Sequence, residues 1–275
     1  MTSSASHSFA EVIGDPIDHS KSPLIHNFWL KTLEIDAEYR RRRVDLSGLA
    51  QYIAEVRADP AWRGSNVTMP LKLDALHLAD EASDRAIAAG AANLLRFRDG
   101  KLWAGNTDVG AIAILLDRAA KSGGDAGSVT LLGNGGAARG ALVALRLLNI
   151  TNVRIQARDL GAARKLAVEF GLREPPVPLT HRIGSGILIN ATPLGMAGQD
   201  CLNCDLGEMP DHAIVFDMVT LPVETDLISA ARARHLRVIT GLDMLVEQAA
   251  TSFKLIFDRD APRDRDPELM KLLRA

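Results

Sequence analysis

The glycine-rich stretch Gly133-Asn134-Gly135-Gly136-Ala137-Ala138 constrains this chain more than any other feature. It follows an apolar run, Val129-Thr130-Leu131-Leu132, and precedes a helical pattern from Ala138 to Leu148. A turn of this kind between a buried strand and a helix brings backbone against a pyrophosphate. Gly133 allows the tight turn, Gly135 has no Cβ to block the phosphates, and Ala138 is small enough for close helix–strand packing. The helix N-terminus offers open N–H groups and the positive end of its dipole to the anion. A second strand, Asn152 to Ala157, completes a β-α-β unit. It ends at Arg158, where a residue that reads the ribose or its phosphate is expected. The G-x-G-x-x-A match alone is weak, since small residues are common in turns. Its place between strand and helix carries the dinucleotide reading.

The 275 residues can bury a large core and hold one large domain or two smaller ones. A formal net charge of -2 sets up no strong field for nucleic acid or a membrane surface, and neither is expected as a partner. With 22 glycines and only 4% aromatic residues, the composition suits a helix-rich α/β enzyme better than an all-β sandwich. No apolar run reaches the length of a bilayer span. Residues 1–8 lack the basic start and apolar stretch of a signal peptide and read as a loose leader. A cytoplasmic protein is therefore the expectation. Cys201 and Cys204 are spaced C-x-x-C in a polar loop, with no second pair to complete a zinc site. They read as incidental thiols, and no metal is expected.

Two halves are legible. In the first, strands at Ala10 to Gly14, Tyr39 to Val44 and Gly64 to Thr68 alternate with helices at Leu24 to Leu33, Leu46 to Arg57, Leu71 to Leu78 and Ala82 to Ala88. Asp99-Gly100 between Asn93–Arg98 and Lys101–Ala104 is a strong hairpin signal. The second half begins at Asp108 with a helix from Val109 to Ala120 and a polar linker over 121–127. After the nucleotide unit, strands at Gly186 to Asn190, Ala213 to Asp217 and Arg237 to Ile239 alternate with helices near Ala162 to Phe170 and Thr225 to Arg234. This is the pattern of a doubly wound α/β domain. A last apolar helix, Met244 to Phe257, is expected to return to the first domain and leave the cleft between the two. The expected division is an N-terminal α/β substrate domain over residues 1–107, with helices of 242–275 packed back on it, and a Rossmann-type domain over 108–241. The run Arg40 to Arg43 reads as a solvated strand end rather than an anion site, and the tail from Asp258 to Asp266 as surface.

Three clusters carry candidate chemistry. Ser20-Lys21-Ser22-Pro23 puts two hydroxyls before a helix, where both can face one small anion; the same residues also describe a capped helix start. In Asn66-Val67-Thr68-Met69-Pro70-Leu71-Lys72, Asn66 and Thr68 share one side of a strand end. Lys72 then falls in a helix's first turn, against the positive end of the dipole, a setting that suits proton transfer but that a surface lysine also tolerates. Asn106-Thr107-Asp108 follows the hairpin; Asp108 can pair with Lys72, cap the helix beginning at Val109, or do both.

The motifs S-K-S-P, N-V-T-M-P-L-K, G-A-A-N, N-T-D, G-N-G-G-A-A-R, I-N-A-T-P-L-G-M and G-L-D-M-L-V-E-Q-A occur in the order seen in shikimate dehydrogenases, and the resemblance runs from Val12 to Phe257. It implies a two-domain enzyme that uses NADP to reduce 3-dehydroshikimate to shikimate, a small-molecule oxidoreductase acting as a monomer or homodimer. It implies Lys72 and Asp108 as the catalytic pair and Ser20 and Ser22 on the substrate carboxylate. Asn66, Thr68, Asn93 and Gln248 match positions that bind the ring hydroxyls. The cofactor would lie on Gly133, Asn134, Gly135, Gly136, Ala137 and Ala138, with Arg158 and Asp159 at the ribose and Thr192, Met218 and Gly241 toward the nicotinamide.

The chain departs from the family pattern in places. Thr220 stands where a tyrosine near the substrate carboxylate is usual. Ala157-Arg158-Asp159 replaces an asparagine-arginine-threonine or -serine cluster. Arg158 can still clamp a 2′-phosphate, while Asp159 repels it and can accept a ribose hydroxyl, so NAD is a possible second cofactor. Leu94 replaces a polar residue of G-A-V-N-T. The rival readings are a quinate/shikimate dehydrogenase, or a paralogue acting on another hydroxylated ring acid, and more distantly a non-catalytic nucleotide-binding regulator.

Overall fold

A computed structural model of the chain describes residues 7–125 and 127–275. Most of the leader read over residues 1–8, and one residue of the linker read over 121–127, lie outside the described residues. The chain divides into two compact units, residues up to Thr107 together with Val246–Ala275, and Asp108–Leu245.

The first unit runs β1 (Ser8–Gly14), α1 (Ser22–Thr32), β2 (Ala37–Arg43), α2 (Leu49–Arg57), β3 (Trp62–Val67), α3 (Lys72–His77), β4 (Glu81–Ala82), α4 (Asp84–Ala89), β5 (Leu94–Arg98) and β6 (Lys101–Gly105). Its described strands form one sheet in the order β2-β1-β3-β5-β6-β4. β1 lies parallel to both β2 and β3, and β5 runs antiparallel to β3 and β6. β1 is buried along nearly its whole length, as a strand covered on both faces must be. β2 sits at an edge and carries Arg40–Arg43, charges that discourage further strand pairing. The β5–β6 turn has positive φ at both Asp99 (51°) and Gly100 (76°), which the hairpin's twist requires. One face packs on Ile13, Leu49, Tyr52, Val67, Leu71, Leu95 and Leu102.

The second unit takes α5 (Thr107–Lys121) from Asp108 onward and runs β7 (Val129–Leu132), α6 (Gly136–Leu147), β8 (Val153–Gln156), α7 (Leu160–Glu169), β9 (Ile187–Asn190), β10 (Ile214–Asp217), α8 (Asp226–Ala233) and β11 (Arg237–Ile239). Its described strands are all parallel, in the order β11-β10-β9-β7-β8. From β7 the chain moves to β8 on one side, then crosses to β9 on the other. The switch point of a doubly wound sheet therefore lies at the end of β7, where the glycine turn begins. α9 (Gly241–Phe257) opens in this unit, and its residues from Val246 onward belong to the first, as does α10 (Asp266–Arg274).

Some boundaries differ from the sequence reading. α6 starts at Gly136 rather than Ala138, and α9 at Gly241 rather than Met244. The short β4 and the helix α10 were not expected as elements. α10 buries Leu269 and Leu273, and its start signal was present in Asp266-Pro267-Glu268.

The opposite face of the first sheet holds an aromatic cluster. His26 is fully buried and stacks on Tyr39, with ring centroids 4.0 Å apart and planes 5° from parallel, beside Trp29 and Phe253. Neither ring nitrogen of His26 has a hydrogen-bond partner among the described residues. Burial pushes its pKa down from 6.5 to about 3. The unfolded chain therefore takes up a proton below pH 6.5 that the folded chain refuses, and stability is lost as pH falls from 6.5 toward 3. This one residue accounts for about 1.4 kcal/mol per pH unit in that window. Denaturant unfolding between pH 7 and pH 4 should show His26→Phe losing stability less steeply than the wild type by about that slope. Equal slopes would mean that His26 is not held neutral by burial.

Candidate active site

In the first unit, topology gathers the candidate residues. β1, β3 and β6 end at the same edge of the sheet, and β5, running antiparallel, begins there. The Ser20–Ser22 loop leaves β1, Asn66 and Thr68 lie at the end of β3, Asn93 precedes β5, and Thr107 follows β6. Gly14 is required at this edge: a Cβ there would lie 2.4 Å from Thr68 Cγ2 and 2.8 Å from the Met69 carbonyl oxygen. The Thr68 N–H donates to Ile13 O at 2.9 Å, which fixes the strand end beside β1.

The serines do not form an ordinary capped helix start. α1 begins at Ser22, the residue at its cap position is Lys21, and no side chain caps it. Ser20 Oγ instead accepts the Ser22 N–H at 3.3 Å, and Ser22 is buried. Asp108 likewise is not a cap for a helix starting at Val109. α5 starts at Thr107, so Asp108 sits inside the first turn, where a carboxylate favours the dipole. Lys72 is the first residue of α3 and half-buried, with its carbonyl accepting the Ala92 N–H at 2.8 Å.

Asn66, Asn93 and Gln248 belong to one buried polar network. Asn93 Oδ1 accepts the Thr107 N–H at 2.7 Å, and Asn93 Nδ2 donates to Thr107 Oγ1 at 2.9 Å. Thr107 Oγ1 also lies 3.3 Å from Gln248 Oε1, to which it can donate, and 3.1 Å from Ser252 Oγ. Asn66 Nδ2 donates to Ser252 Oγ at 2.8 Å and to Asn93 O at 3.2 Å, so both its amide protons are taken. Asn66 Oδ1 accepts from Tyr39 Oη at 2.7 Å. What Asn66 retains for a ligand is acceptor capacity on Oδ1. Burial holds the Tyr39 phenol well above its ordinary pKa, so it remains a donor. Tyr39, Thr107 and Ser252 were not singled out from the sequence. Thr107 lay within the Asn106-Thr107-Asp108 cluster without a role of its own, and Ser252 had a usable signal in lying one helical turn after Gln248.

In the second unit, Gly133 has φ 101°, and a Cβ there would lie 3.0 Å from Ala191 O and Thr192 Cγ2. Only glycine meets both demands. Gly135 differs: its φ is -87°, and a Cβ built on it meets nothing within 4 Å. It occupies the cap position of α6, and no side chain caps the first-turn N–H groups of that helix, which begins Gly136-Ala137-Ala138. Arg158 is exposed just beyond β8. Asp159 caps α7, its Oδ1 accepting the Ala162 N–H at 2.9 Å. Asn134 Nδ2 reaches Asp159 O at 3.5 Å.

A second network shapes the ends of β9 and β10. Asn190 Oδ1 accepts from Thr192 N and Oγ1 at 3.0 and 2.6 Å, while Asn190 Nδ2 donates to Asp217 Oδ1 at 2.9 Å. Asp217 also accepts from Thr225 Oγ1 at 2.6 Å and Val219 N at 3.1 Å. Burial pushes the Asp217 carboxyl up, against the pull of these bonds. Met218 and Thr220 follow, both half-buried. Gly241 is pressed onto this loop, since a Cβ there would lie 2.1 Å from Val219 O. Cys201 and Cys204 are free, and no cluster of metal-ligating residues occurs among the described residues.

Comparison with known proteins is decisive. A family model described as the shikimate dehydrogenase substrate binding domain matches residues 12–95, and one described as the shikimate 5'-dehydrogenase C-terminal domain matches residues 241–265. The chain is 46% identical over 267 residues to a protein of Sphingopyxis alaskensis named shikimate dehydrogenase (NADP(+)), with 96% of each chain covered. The chain belongs to the shikimate dehydrogenase family. The family's fold is shared as well. A Thermus thermophilus shikimate 5-dehydrogenase, crystallised with NADP(H) and shikimate, superposes with a TM-score of 0.85 at 32% identity over 97% of this chain and 99% of that one. A Corynebacterium glutamicum quinate dehydrogenase in complex with NAD gives a TM-score of 0.82 at 25% identity over 96% and 99%. The resemblance read from the motifs and the α/β class of the fold are borne out.

The open space above Gly135 yields a test. Gly135→Ala places a methyl group where the folded chain has nothing in its way, so the melting temperature should stay within about 1–2 °C. On the reading of this turn as the pyrophosphate site, the same methyl group stands in the way of the anion, and cofactor KM should rise by about tenfold or more. Gly133→Ala, which is strained at positive φ, should lower the melting temperature instead. A Gly135→Ala protein with unchanged cofactor KM would show that the pyrophosphate does not lie on this turn.

Proposed function

We propose that this chain is an NADP-dependent shikimate dehydrogenase that reversibly reduces 3-dehydroshikimate to shikimate in the route to chorismate and the aromatic amino acids. The observation that carries this reading is the buried network Tyr39–Asn66–Ser252–Thr107–Asn93 with Gln248 at one sheet edge. Fixed amide and hydroxyl groups of this kind suit a ligand bearing several ring hydroxyls. Asn66, Thr68, Asn93 and Gln248 bind those hydroxyls, with Asn66 as acceptor. Ser20 and Ser22, with Thr220 as a weaker third group, bind the carboxylate.

The second unit fits a dinucleotide. The turn Gly133, Asn134, Gly135, Gly136, Ala137 and Ala138 presents open space and helix N–H groups to a pyrophosphate. Arg158 clamps the 2′-phosphate, and Thr192, Met218 and Gly241 border the nicotinamide. When bound, the cofactor supplies hydride to the carbonyl carbon of the substrate. Lys72 Nζ delivers a proton to the carbonyl oxygen in reduction and removes it from the hydroxyl in oxidation. Asp108 orients that hydroxyl for the transfer. The substrate domain on this reading is residues 1–107 with the helices of 242–275, and the NADP domain is 108–241. A cytoplasmic enzyme, monomeric or homodimeric, belongs to the same proposal; the free thiols Cys201 and Cys204 suit a reducing compartment.

Asp159 favours keeping a second cofactor in view. Its carboxylate is anchored at the start of α7 beside Arg158, so it adds negative charge near the expected ribose end. On this reading NADP leads, and NAD is used less well.

Lys72→Ala tests the proposal. General acid–base catalysis is worth about 10²–10⁴-fold, so kcat should fall by that factor while the melting temperature holds. A surface lysine would change stability by at most about 0.5 kcal/mol and leave the rate alone. A variant keeping half the wild-type kcat would remove Lys72 from the chemistry.

A further inference from the structure

The run of arginines in β2 is not uniform. Arg40 Nε is 2.9 Å from Glu11 Oε1, Arg42 pairs with Glu55, and Arg43 Nε is 2.9 Å from Asp15 Oδ1. Each of these three charges is neutralised by a carboxylate. Arg41 is not: among the described residues it has no carboxylate partner. Its Nε and Nη2 both donate to the carbonyl oxygen of Ser20, at 2.9 and 2.6 Å. β2 pairs in parallel with β1 and places Arg41 opposite Val12, so the side chain reaches the loop that leaves β1. That loop is also held by Ser20 N on Ile17 O at 3.0 Å, by Ser22 N on Ser20 Oγ at 3.3 Å, by Asp15 N on Met69 O at 3.1 Å, and by Lys21, whose Nζ donates to the Leu273 carbonyl.

We propose that Arg41 is a positioning and specificity-determining residue for an anionic substrate. Its planar fork holds the Ser20 carbonyl, and hence the hydroxyls of Ser20 and Ser22, in one arrangement. Its charge, which has no carboxylate ion-pair partner among the described residues, sits on the carbonyl of the residue that carries one of those hydroxyls and favours a carboxylate there over a neutral group. The proposal rests on the reading that the two serines bind the substrate carboxylate. Arg41 acts through Ser20 and through space, and touches no reacting atom. Arg41 is exposed, and Asp18 in the same loop is an exposed opposing charge, so solvent screens the effect. For charges about 6 Å apart at a protein surface, an effect on binding of about threefold to tenfold is expected, and it weakens at high salt.

The test is steady-state oxidation of shikimate at saturating NADP+, in low salt and in 0.5 M KCl, where the Debye length falls to roughly half its physiological value of about 8 Å. Arg41→Met should raise the shikimate KM by about threefold to tenfold in low salt, with kcat within about twofold, and the gap should narrow in high salt. Arg41→Lys keeps the charge without the fork and should recover part of the loss. Arg43→Met, whose charge is already paired, should leave KM unchanged. Ser22→Ala, measured alongside, separates the two layers of the argument. If Ser22→Ala raises KM and Arg41→Met does not, the serines bind the carboxylate and the role given to Arg41 is wrong. If neither raises KM, the serine reading itself fails and the role of Arg41 goes with it. A loss of melting temperature in Arg41→Met with unchanged, salt-insensitive KM would make Arg41 a structural contact only.

Discussion

Asn93 holds the working edge of the first sheet together. Its carbonyl accepts the Val67 N–H at 2.8 Å, and its own N–H donates to Gly105 O at 2.9 Å. Its side-chain amide accepts the Thr107 N–H at 2.7 Å and donates to the Thr107 hydroxyl at 2.9 Å. One residue thus ties the end of β3, the start of β5 and the exit of β6. Each of these groups is buried, and a buried polar group without a partner costs about 1–3 kcal/mol. The network is therefore held as a unit: a change at Asn93 leaves orphans on several elements at once. The same cost explains why Asn66 spends both amide protons inside the protein and presents only an acceptor.

The second unit uses the same device with a carboxylate. Asp217 is buried at the end of β10 and satisfied by Asn190, Thr225 and the Val219 N–H. Asn190 in turn fixes Thr192. Two parallel strand ends are locked before any ligand arrives, and a prearranged site loses less freedom on binding. Gly241 belongs to this arrangement, because no side chain fits between its Cα and the Val219 carbonyl.

Much of this was legible in the sequence for physical reasons. The glycine turn is readable because only glycine tolerates the φ of 101° at position 133, and the Asp99–Gly100 hairpin because both residues take positive φ. Strand–helix alternation gave the α/β class from periodicity alone. The polar network was only partly visible. Asn66, Asn93 and Gln248 stood out through family motifs, whereas Tyr39 reaches Asn66 across 27 positions of chain and Ser252 reaches it across 186. No local pattern encodes such contacts; they exist only once β2, β3 and α9 are packed. The distinction among the four arginines of β2 was invisible for the same reason, since it depends on which partner each meets across the fold. The reading of the serines as helix caps failed because a helix can begin at Ser22 with Lys21 at the cap position and no capping side chain.

The measurement that bears most directly on the account is a set of initial rates with shikimate and with quinate, each with NADP+ and with NAD+. An NADP-dependent shikimate dehydrogenase should give its highest kcat/KM with shikimate and NADP+, by about tenfold or more over each other combination, a difference of about 1.4 kcal/mol in transition-state binding. Equal or faster turnover of quinate with NAD+ would contradict it.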